Sequence, residues 1–75
     1  MQVRHYMTAA AAVTHPDEPV VAAARLMRQR GIGALPVCED DGTLVGMLTD
    51  RDIVVRCVSA GDDPQTATVR GIMSR

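Results

Sequence analysis

The segment from Gly46 to Asp52 carries the side chains of this sequence that are best suited to binding chemistry. Thr49, followed three residues later by Asp52, is typical of a capping box, in which each side chain accepts a hydrogen bond from a free backbone N–H at a helix start. A helix that begins where a strand ends also offers free N–H groups to a phosphate. In a ligand site, Thr49 would add a donor, Arg51 a cation, and Asp52 an acceptor for a ribose diol. Gly46 would let a ligand approach the strand closely. The residues alone are consistent with a helix cap, a ligand site or both.

A short strand and a helix are predicted ahead of this segment. Residues 12–14 have the character of a strand, which His15 and Pro16 end. Asp17 is a favourable N-cap residue, and the apolar side chains after it recur at the spacing of one helix face. Gly31 is expected to end this helix. The apolar face consists of Val20, Ala23, Ala24 and Met27.

Two strands and a second helix are predicted next. Residues 34–38 favour a strand, although Pro36 requires an edge position or a bulge because it has no N–H. Residues 40–43 contain Asp-Gly, a strong hairpin signal, and residues 44–48 form the return strand. A second helix is predicted from residue 50 to residue 60. The order β-α-β-β-α predicts an α+β fold, a small sheet covered by two helices.

The two ends of the chain share a short pattern. Val-Arg-x-apolar-Met-hydroxyl occurs at residues 3–8 and again at residues 69–74. A pattern that recurs at a fixed distance indicates a duplicated structural unit. We therefore interpret residues 1–11 as a lead-in segment and residues 12–61 as the core of one repeat. Residues 62–75 are interpreted as a linker and the start of a second, missing repeat.

The composition narrows the classes of function. The chain has 47% hydrophobic and 23% charged residues and a formal net charge of −1, which is typical of a globular domain. All its cations are arginines spread along the sequence, so nucleic-acid binding is not expected. The absence of lysine excludes a Walker-A loop and Schiff-base chemistry. Neither Ser59 nor Ser74 lies in a nucleophile-elbow sequence, and we predict no enzyme and no catalytic residue.

The cellular location and the lack of a metal are predicted from sequence features that the chain does not have. No apolar run reaches the roughly 18 residues of a membrane span, and the first residues lack the apolar core of a signal peptide. We expect a cytoplasmic protein without membrane contact, in which Cys38 and Cys57 stay reduced. These cysteines, with His5 and His15, include no closely spaced pair of ligands. The prediction is therefore no metal, with both thiols packed as small hydrophobic groups.

Several segments in the right order resemble the CBS domain family. The resemblance covers about residues 3–60, and within the family the sequence is most similar to free-standing bacterial proteins made of two such repeats. It implies a βαββα repeat paired with a second repeat. The matching segments are Val-Arg-x-x-Met-Thr at residues 3–8, Val-Thr-His-Pro-Asp at 13–17, Gly-Ile-Gly-Ala-Leu-Pro-Val at 31–37 and Gly-Met-Leu-Thr-Asp-Arg-Asp-Ile at 46–53.

The resemblance also implies a function and a site. It implies a regulatory module that binds AMP, ADP, ATP or another adenosine derivative in clefts between paired repeats, with no other cofactor. Thr49 would contact ribose or phosphate, Asp52 the ribose hydroxyls, and Arg51 the phosphate. The alternative is a structural pairing module with empty clefts, which the lack of lysine and of an aromatic residue near the purine slot favours. The implied slot is lined by Val13, Thr14, Ile32, Ala34 and Pro36.

Self-association follows from the same resemblance. A repeat that normally packs against another should expose an apolar sheet face that is too large to remain in water. A homodimer closed by a two-fold axis is the simplest way to cover that face. We therefore expect a homodimer through the sheet.

Overall fold

The computed structural model describes residues 12–75. Helix α1 spans Val20–Arg30, strands β1 and β2 span Ala34–Cys38 and Leu44–Thr49, and helix α2 spans Asp50–Ile53. A π-helical turn at Val54–Val58 continues α2. After a loop, the short helix α3 spans Val69–Ile72. The predicted α+β class is confirmed, and helices cover one face of a small antiparallel sheet.

The start of α1 differs from the prediction. Asp17 is not the N-cap, because the helix begins at Val20 after an extended Pro19 with φ −66° and ψ 145°. The free N–H groups of Val20 and Val21 donate to the backbone carbonyls of Ala67 and Pro64, both at 2.8 Å. A distant part of the chain therefore replaces the side-chain cap that the sequence suggested.

The end of α1 and the hairpin follow the prediction. Gly31 ends α1 with φ 64°, the left-handed conformation that favours glycine. In the turn between the strands, Gly42 has φ 88°, and the Thr43 N–H donates to Asp41 at 2.9 Å. Hydrogen bonds from the Thr43 side chain and backbone hold the pKa of Asp41 below its ordinary value. Local residue preferences therefore determine both features.

The strand predicted at residues 12–14 is reduced to one bridge. Thr14 pairs in parallel with Val37, donating to the Pro36 carbonyl at 3.0 Å and accepting from Cys38 at 2.9 Å. The next bond of a parallel ladder would run from the N–H of residue 36 to the carbonyl of Ala12. Pro36 has no N–H, so the ladder does not extend.

Pro36 does not lie in an edge strand, because β1 has a hydrogen-bonded neighbour on each side. β1 lies between Thr14 and β2, where Pro36 pairs with Met47 in the antiparallel register. An irregularity follows directly, between Val37 and Cys38. Of the two arrangements predicted for this proline, the edge position is wrong, and a register shift occurs one residue later.

The second helix is less regular than predicted. Only Asp50–Ile53 is α-helical, and from Val54 the hydrogen bonds widen, with the Ser59 N–H donating to the Val54 carbonyl at 2.8 Å. Residues 53–55 are all β-branched, and their side chains crowd the preceding turn of an α-helix. The predicted continuous helix to residue 60 is therefore wrong in its second half.

The core includes the end of the chain. α3 and the residue after it contribute buried side chains, and the N–H of Val69 donates to the Glu18 carbonyl at 2.9 Å. Ser74 then pairs with Met47 through two hydrogen bonds of 2.8 Å on the free side of β2. Residues 69–74 therefore belong to this core. The predicted boundaries of the repeat stay a prediction. The predicted lead-in segment, residues 1–11, lies outside the described residues. The core comprises Ala12, Val20, Ala23, Met27, Leu35, Val37, Leu48, Cys57, Val69, Ile72 and Met73.

In residues 12–75, no helix has both the length and the apolar character needed to cross a membrane.

Candidate functional site

The predicted capping box is present at the junction of β2 and α2. The Asp52 N–H donates to the Thr49 hydroxyl oxygen at 3.1 Å, and the Thr49 N–H donates to Asp52 Oδ2 at 2.9 Å. Thr49 is paired with Ala34 across the sheet, and the Asp50 N–H donates to the Gly33 carbonyl at 2.9 Å. The two candidate side chains are thus fixed at the end of the sheet where β1 begins.

Asp52 has one carboxylate oxygen that is free for a donor. Its side chain is buried, with 8% of the residue exposed, and Oδ2 is used by the cap. Oδ1 lies 3.9 Å from Nε of Arg56, beyond hydrogen-bond distance. The Thr49 hydroxyl accepts in the cap and still has its proton to donate. The pair therefore offers one acceptor and one donor to a polar ligand.

Arg56 is a neighbour that the sequence interpretation missed. One of its terminal nitrogens donates to the Ile72 carbonyl at 3.5 Å, so Arg56 joins the Asp52 carboxylate to α3. The signal was available, because residues four apart on a helix are neighbours. Arg51, the predicted phosphate contact, is exposed, and among residues 12–75 it forms no ion pair.

The side chains predicted to line a purine slot lie partly together. Ala34 and Pro36 alternate with the buried residues of β1 and face away from the helices, as does Met47 opposite Pro36. Val13, 46% exposed, precedes the bridging Thr14 on the same side. We call Val13, Ala34, Pro36 and Met47 the open sheet face.

The other two slot residues are placed differently. Ile32 is 39% exposed just before β1, near the end of the sheet that carries Thr49. The Thr14 residue is only 6% exposed, and its backbone is used by the bridge to β1. A role for Thr14 in the slot stays a prediction.

The structure explains why position 46 is a glycine. A Cβ atom at this position would lie 2.5 Å from the Ser74 carbonyl oxygen and 3.2 Å from the Met73 sulfur. The close approach that glycine permits is therefore taken by the end of this chain. Its role in contacting a ligand stays a prediction.

A polar network at the opposite end of the sheet surrounds His15. Its Nε2 lies 3.1 Å from Asp40 and 3.6 Å from Glu39, and its Nδ1 accepts from the Asp17 N–H at 3.1 Å. Asp17 in turn accepts from Arg70 at 3.2 Å. Because Nδ1 accepts a hydrogen bond, the geometry assigns the proton of a neutral imidazole to Nε2. The network connects α3 to the hairpin. Its members lie too far apart in sequence for these contacts to be predicted from the sequence.

Cys57 is fully buried, and its thiol donates to the Asp62 carbonyl at 3.6 Å. Burial, followed by the negative charges of Asp62 and Asp63, raises the pKa of this thiol. Cys38 is half-buried at the end of β1. The predicted packing role therefore fits Cys57 closely.

The raised pKa of the Cys57 thiol predicts a loss of stability at alkaline pH. Above the ordinary thiol pKa, near 8.5, the unfolded chain loses its Cys57 proton while the folded chain keeps it. The free energy of unfolding should therefore fall as the pH rises from about 8.5 through the higher folded pKa. Denaturation from pH 7 to 10 in a Cys38→Ala background should show this fall, and adding Cys57→Ala should flatten it. An equal slope in both proteins would contradict the assignment.

Comparisons with known proteins identify the fold. The family model of the CBS domain matches residues 3–59. Hypoxic response protein 1 of Mycobacterium tuberculosis (strain ATCC 25618 / H37Rv) is 52% identical over 65 residues, 87% of this chain and 46% of that protein. CBS domain-containing protein YhcV of Bacillus subtilis (strain 168) is 47% identical over 64 residues, 85% of this chain and 45% of that protein. This chain spans about half the length of these curated relatives.

A crystal structure of Hypoxic Response Protein I with two coordinated zinc ions matches with a TM-score of 0.80 at 49% identity, over 84% of this chain and 52% of that one. Within the described part of the present chain, no three histidine, cysteine, aspartate or glutamate side chains are grouped to hold a metal. The zinc ions of that relative are a property of that protein, and the absence of a metal from this chain stays a prediction. Since the family model covers more than half of the sequence, the chain belongs to the CBS domain family.

Proposed function

We propose that this chain is a regulatory CBS module that binds an adenosine-containing nucleotide where Ala34 pairs with Thr49. The observation that carries the proposal is the free Oδ1 of Asp52 beside the Thr49 hydroxyl, fixed by the capping box. A ribose diol needs an acceptor held in place, and a carboxylate accepts more strongly than a neutral group. Arg51, exposed on the first turn of α2, would meet the phosphate.

Apolar surface for a base extends from the Thr49 end of the sheet towards its middle, where the bridge between Thr14 and Val37 places Val13 beside Pro36. Ile32 and Val13 are exposed, although side chains of this kind gain free energy when they leave water. Together with Ala34 they would contact one side of a purine. Residues of a second repeat would contact the other side.

The proposed site requires that two repeats pair through the open sheet face. The open sheet face is one half of a cleft, and a second copy placed about a two-fold axis would supply the other half. The curated relatives are about twice as long as the segment matched here, which leaves room in them for a second repeat. A homodimer of this chain would reproduce such a pair.

A second candidate function is pairing without a nucleotide. It is favoured by the small exposure of Asp52 and by the proximity of Arg56, which already balances its charge. The only aromatic residue of the chain is Tyr6, so no aromatic ring at positions 13, 32, 34 or 36 can stack on a purine.

A thermal-shift series separates the two candidates. AMP, ADP and ATP at about a hundred times their dissociation constants should raise the melting temperature by several degrees, because a ligand bound only by the folded state stabilises it. NAD and S-adenosylmethionine test other adenosine compounds, and inorganic phosphate at equal concentration controls for anion effects. No shift with any adenosine compound at millimolar concentration would favour the empty pairing module.

A further inference from the structure

Arg56 lies between the Asp52 carboxylate and α3, and neither of its contacts there is short. Its Nε is 3.9 Å from Asp52 Oδ1, and one of its terminal nitrogens is 3.5 Å from the Ile72 carbonyl oxygen. Hydrogen bonds of full strength between such atoms measure about 2.7–3.2 Å. The two acceptors belong to different parts of the fold, the start of α2 and the end of α3. Arg56 is therefore shared between them rather than bound firmly to one.

The surroundings of Arg56 leave it room to move towards either acceptor. Its side chain is 55% exposed, whereas that of Asp52 is 10% exposed and is held by the capping box. Arg56 also lines a groove beside α3, together with Asp62, Asp63 and Thr68. The two aspartates of this groove attract the guanidinium towards α3, while Asp52 attracts it towards the candidate site. Arg56 is thus the member of the pair that can change its position.

Arg56 adds a side-chain contact to the attachment of α3. The amino-terminal end of α3 is bonded to the chain before α1, where the N–H groups of Val69 and Arg70 donate to backbone carbonyls at 2.9 and 2.8 Å. At the other end of α3, the Ile72 carbonyl accepts from Arg56, two residues before the bridge of Ser74 to β2. A change in the position of Arg56 therefore acts on the end of α3, within the segment that the sequence predicts to begin a second repeat.

We propose that Arg56 couples the occupancy of Asp52 to the attachment of α3. A ribose hydroxyl that donates to Oδ1 weakens the attraction of the carboxylate for the guanidinium, so Arg56 moves to the Ile72 carbonyl and holds α3 more tightly. Coupling between two sites is reciprocal, so competition from Arg56 lowers the affinity of Asp52 for the ribose. The ligand part of this inference rests on the proposed function, whereas the sharing of Arg56 between two acceptors exists without a ligand.

Hydrogen exchange of the unliganded chain tests whether Arg56 is shared. Asp52→Asn keeps an oxygen for the capping box but removes the charge, so Arg56 should move to α3. Exchange of the Met73 and Ser74 amides, relative to the amides of β1, should then slow by about fivefold, the lower end of usual couplings. The same change in an Arg56→Gln background should have no such effect, and Asp50→Asn should have none in either background. Unchanged or faster exchange in Asp52→Asn would overturn the proposal.

Calorimetric titration with adenosine tests the coupling to the ligand, because adenosine has the ribose diol without the charge of a phosphate. Arg56→Gln should bind adenosine about fivefold more tightly than the wild type does, since the competitor for Oδ1 is gone. Arg25→Gln, which changes an exposed arginine of α1, should bind like the wild type. AMP serves the same comparison if adenosine binds too weakly to measure.

The outcomes separate this inference from the proposed function. Equal or weaker binding by Arg56→Gln would overturn the coupling, even if the wild type binds the nucleotide as proposed. Bound adenosine should also slow exchange of the Ser74 amide in the wild type but not in Arg56→Gln. If neither adenosine nor AMP binds, the proposed function fails, and the exchange rates of Asp52→Asn still decide whether Arg56 is shared between Asp52 and α3.

Discussion

Gly46→Ala is expected to lower the free energy of unfolding by about 1–3 kcal/mol, the usual cost of forcing extra atoms into a well-packed site. The new Cβ would lie 2.5 Å from the backbone oxygen of Ser74. That oxygen accepts from the Met47 N–H, and the Ser74 N–H donates back, both at 2.8 Å. The end of the chain therefore cannot move away without breaking the bridge.

Gly71→Ala is the matched control for this change. A Cβ at Gly71 would have only the Thr68 hydroxyl oxygen nearby, at 3.9 Å. Because Gly71 lies inside α3, alanine there should be neutral or stabilising by about 0.5–1 kcal/mol. Urea denaturation compares the variants, and hydrogen exchange of the Met47 and Ser74 amides follows the bridge. Wild-type stability and intact exchange protection in Gly46→Ala would show that the approach of Ser74 imposes no constraint.

Features that depend on neighbours in sequence were predictable. The capping box joins residues three apart, and the left-handed end of α1 requires only Gly31 at the right place. The hairpin follows from Asp-Gly between two apolar runs. These three features are governed by local backbone preferences, and the structure retains them, whereas the equally local prediction of Asp17 as an N-cap is wrong.

Features that depend on distant partners were not predictable. α1 begins at Val20 rather than at Asp17 because carbonyls from the loop before α3 accept its first N–H groups. The His15 network likewise needs Arg70, which no local pattern connects to it. A single proline shortened the predicted first strand through a hydrogen bond that it cannot donate to a parallel neighbour.

The candidate site was predictable only in part for the same reason. Thr49 and Asp52 are close in sequence, so their geometry could be anticipated. The covering of Gly46 by Ser74 arises from the packing of the chain end, and the opposite wall of the cleft would come from another repeat. A single sequence does not contain the position of that wall.

Asp52→Ala is expected to weaken nucleotide binding about ten- to a hundredfold, beyond its effect on folding. The cap accounts for a loss of about 0.5–2 kcal/mol of stability. A ribose diol donating to Asp52 would lose charge-assisted hydrogen bonds worth about 1.5–3 kcal/mol, and about 1.4 kcal/mol corresponds to tenfold in affinity. Asp50→Ala removes a carboxylate from the same turn without removing the cap, and it should leave the affinity nearly unchanged.

A 2′-deoxynucleotide separates the two roles of Asp52. It should bind the unmodified chain more weakly than the ribonucleotide does, and it should lose little more with Asp52→Ala, because the shared contact is already missing. Calorimetric titration of both ligands into both proteins, under conditions where both are folded, forms a double-mutant cycle. The coupling energy of that cycle measures the contact between the carboxylate and the sugar. If ribose and deoxyribose ligands lost equal affinity, Asp52 would be a helix cap that does not contact the sugar.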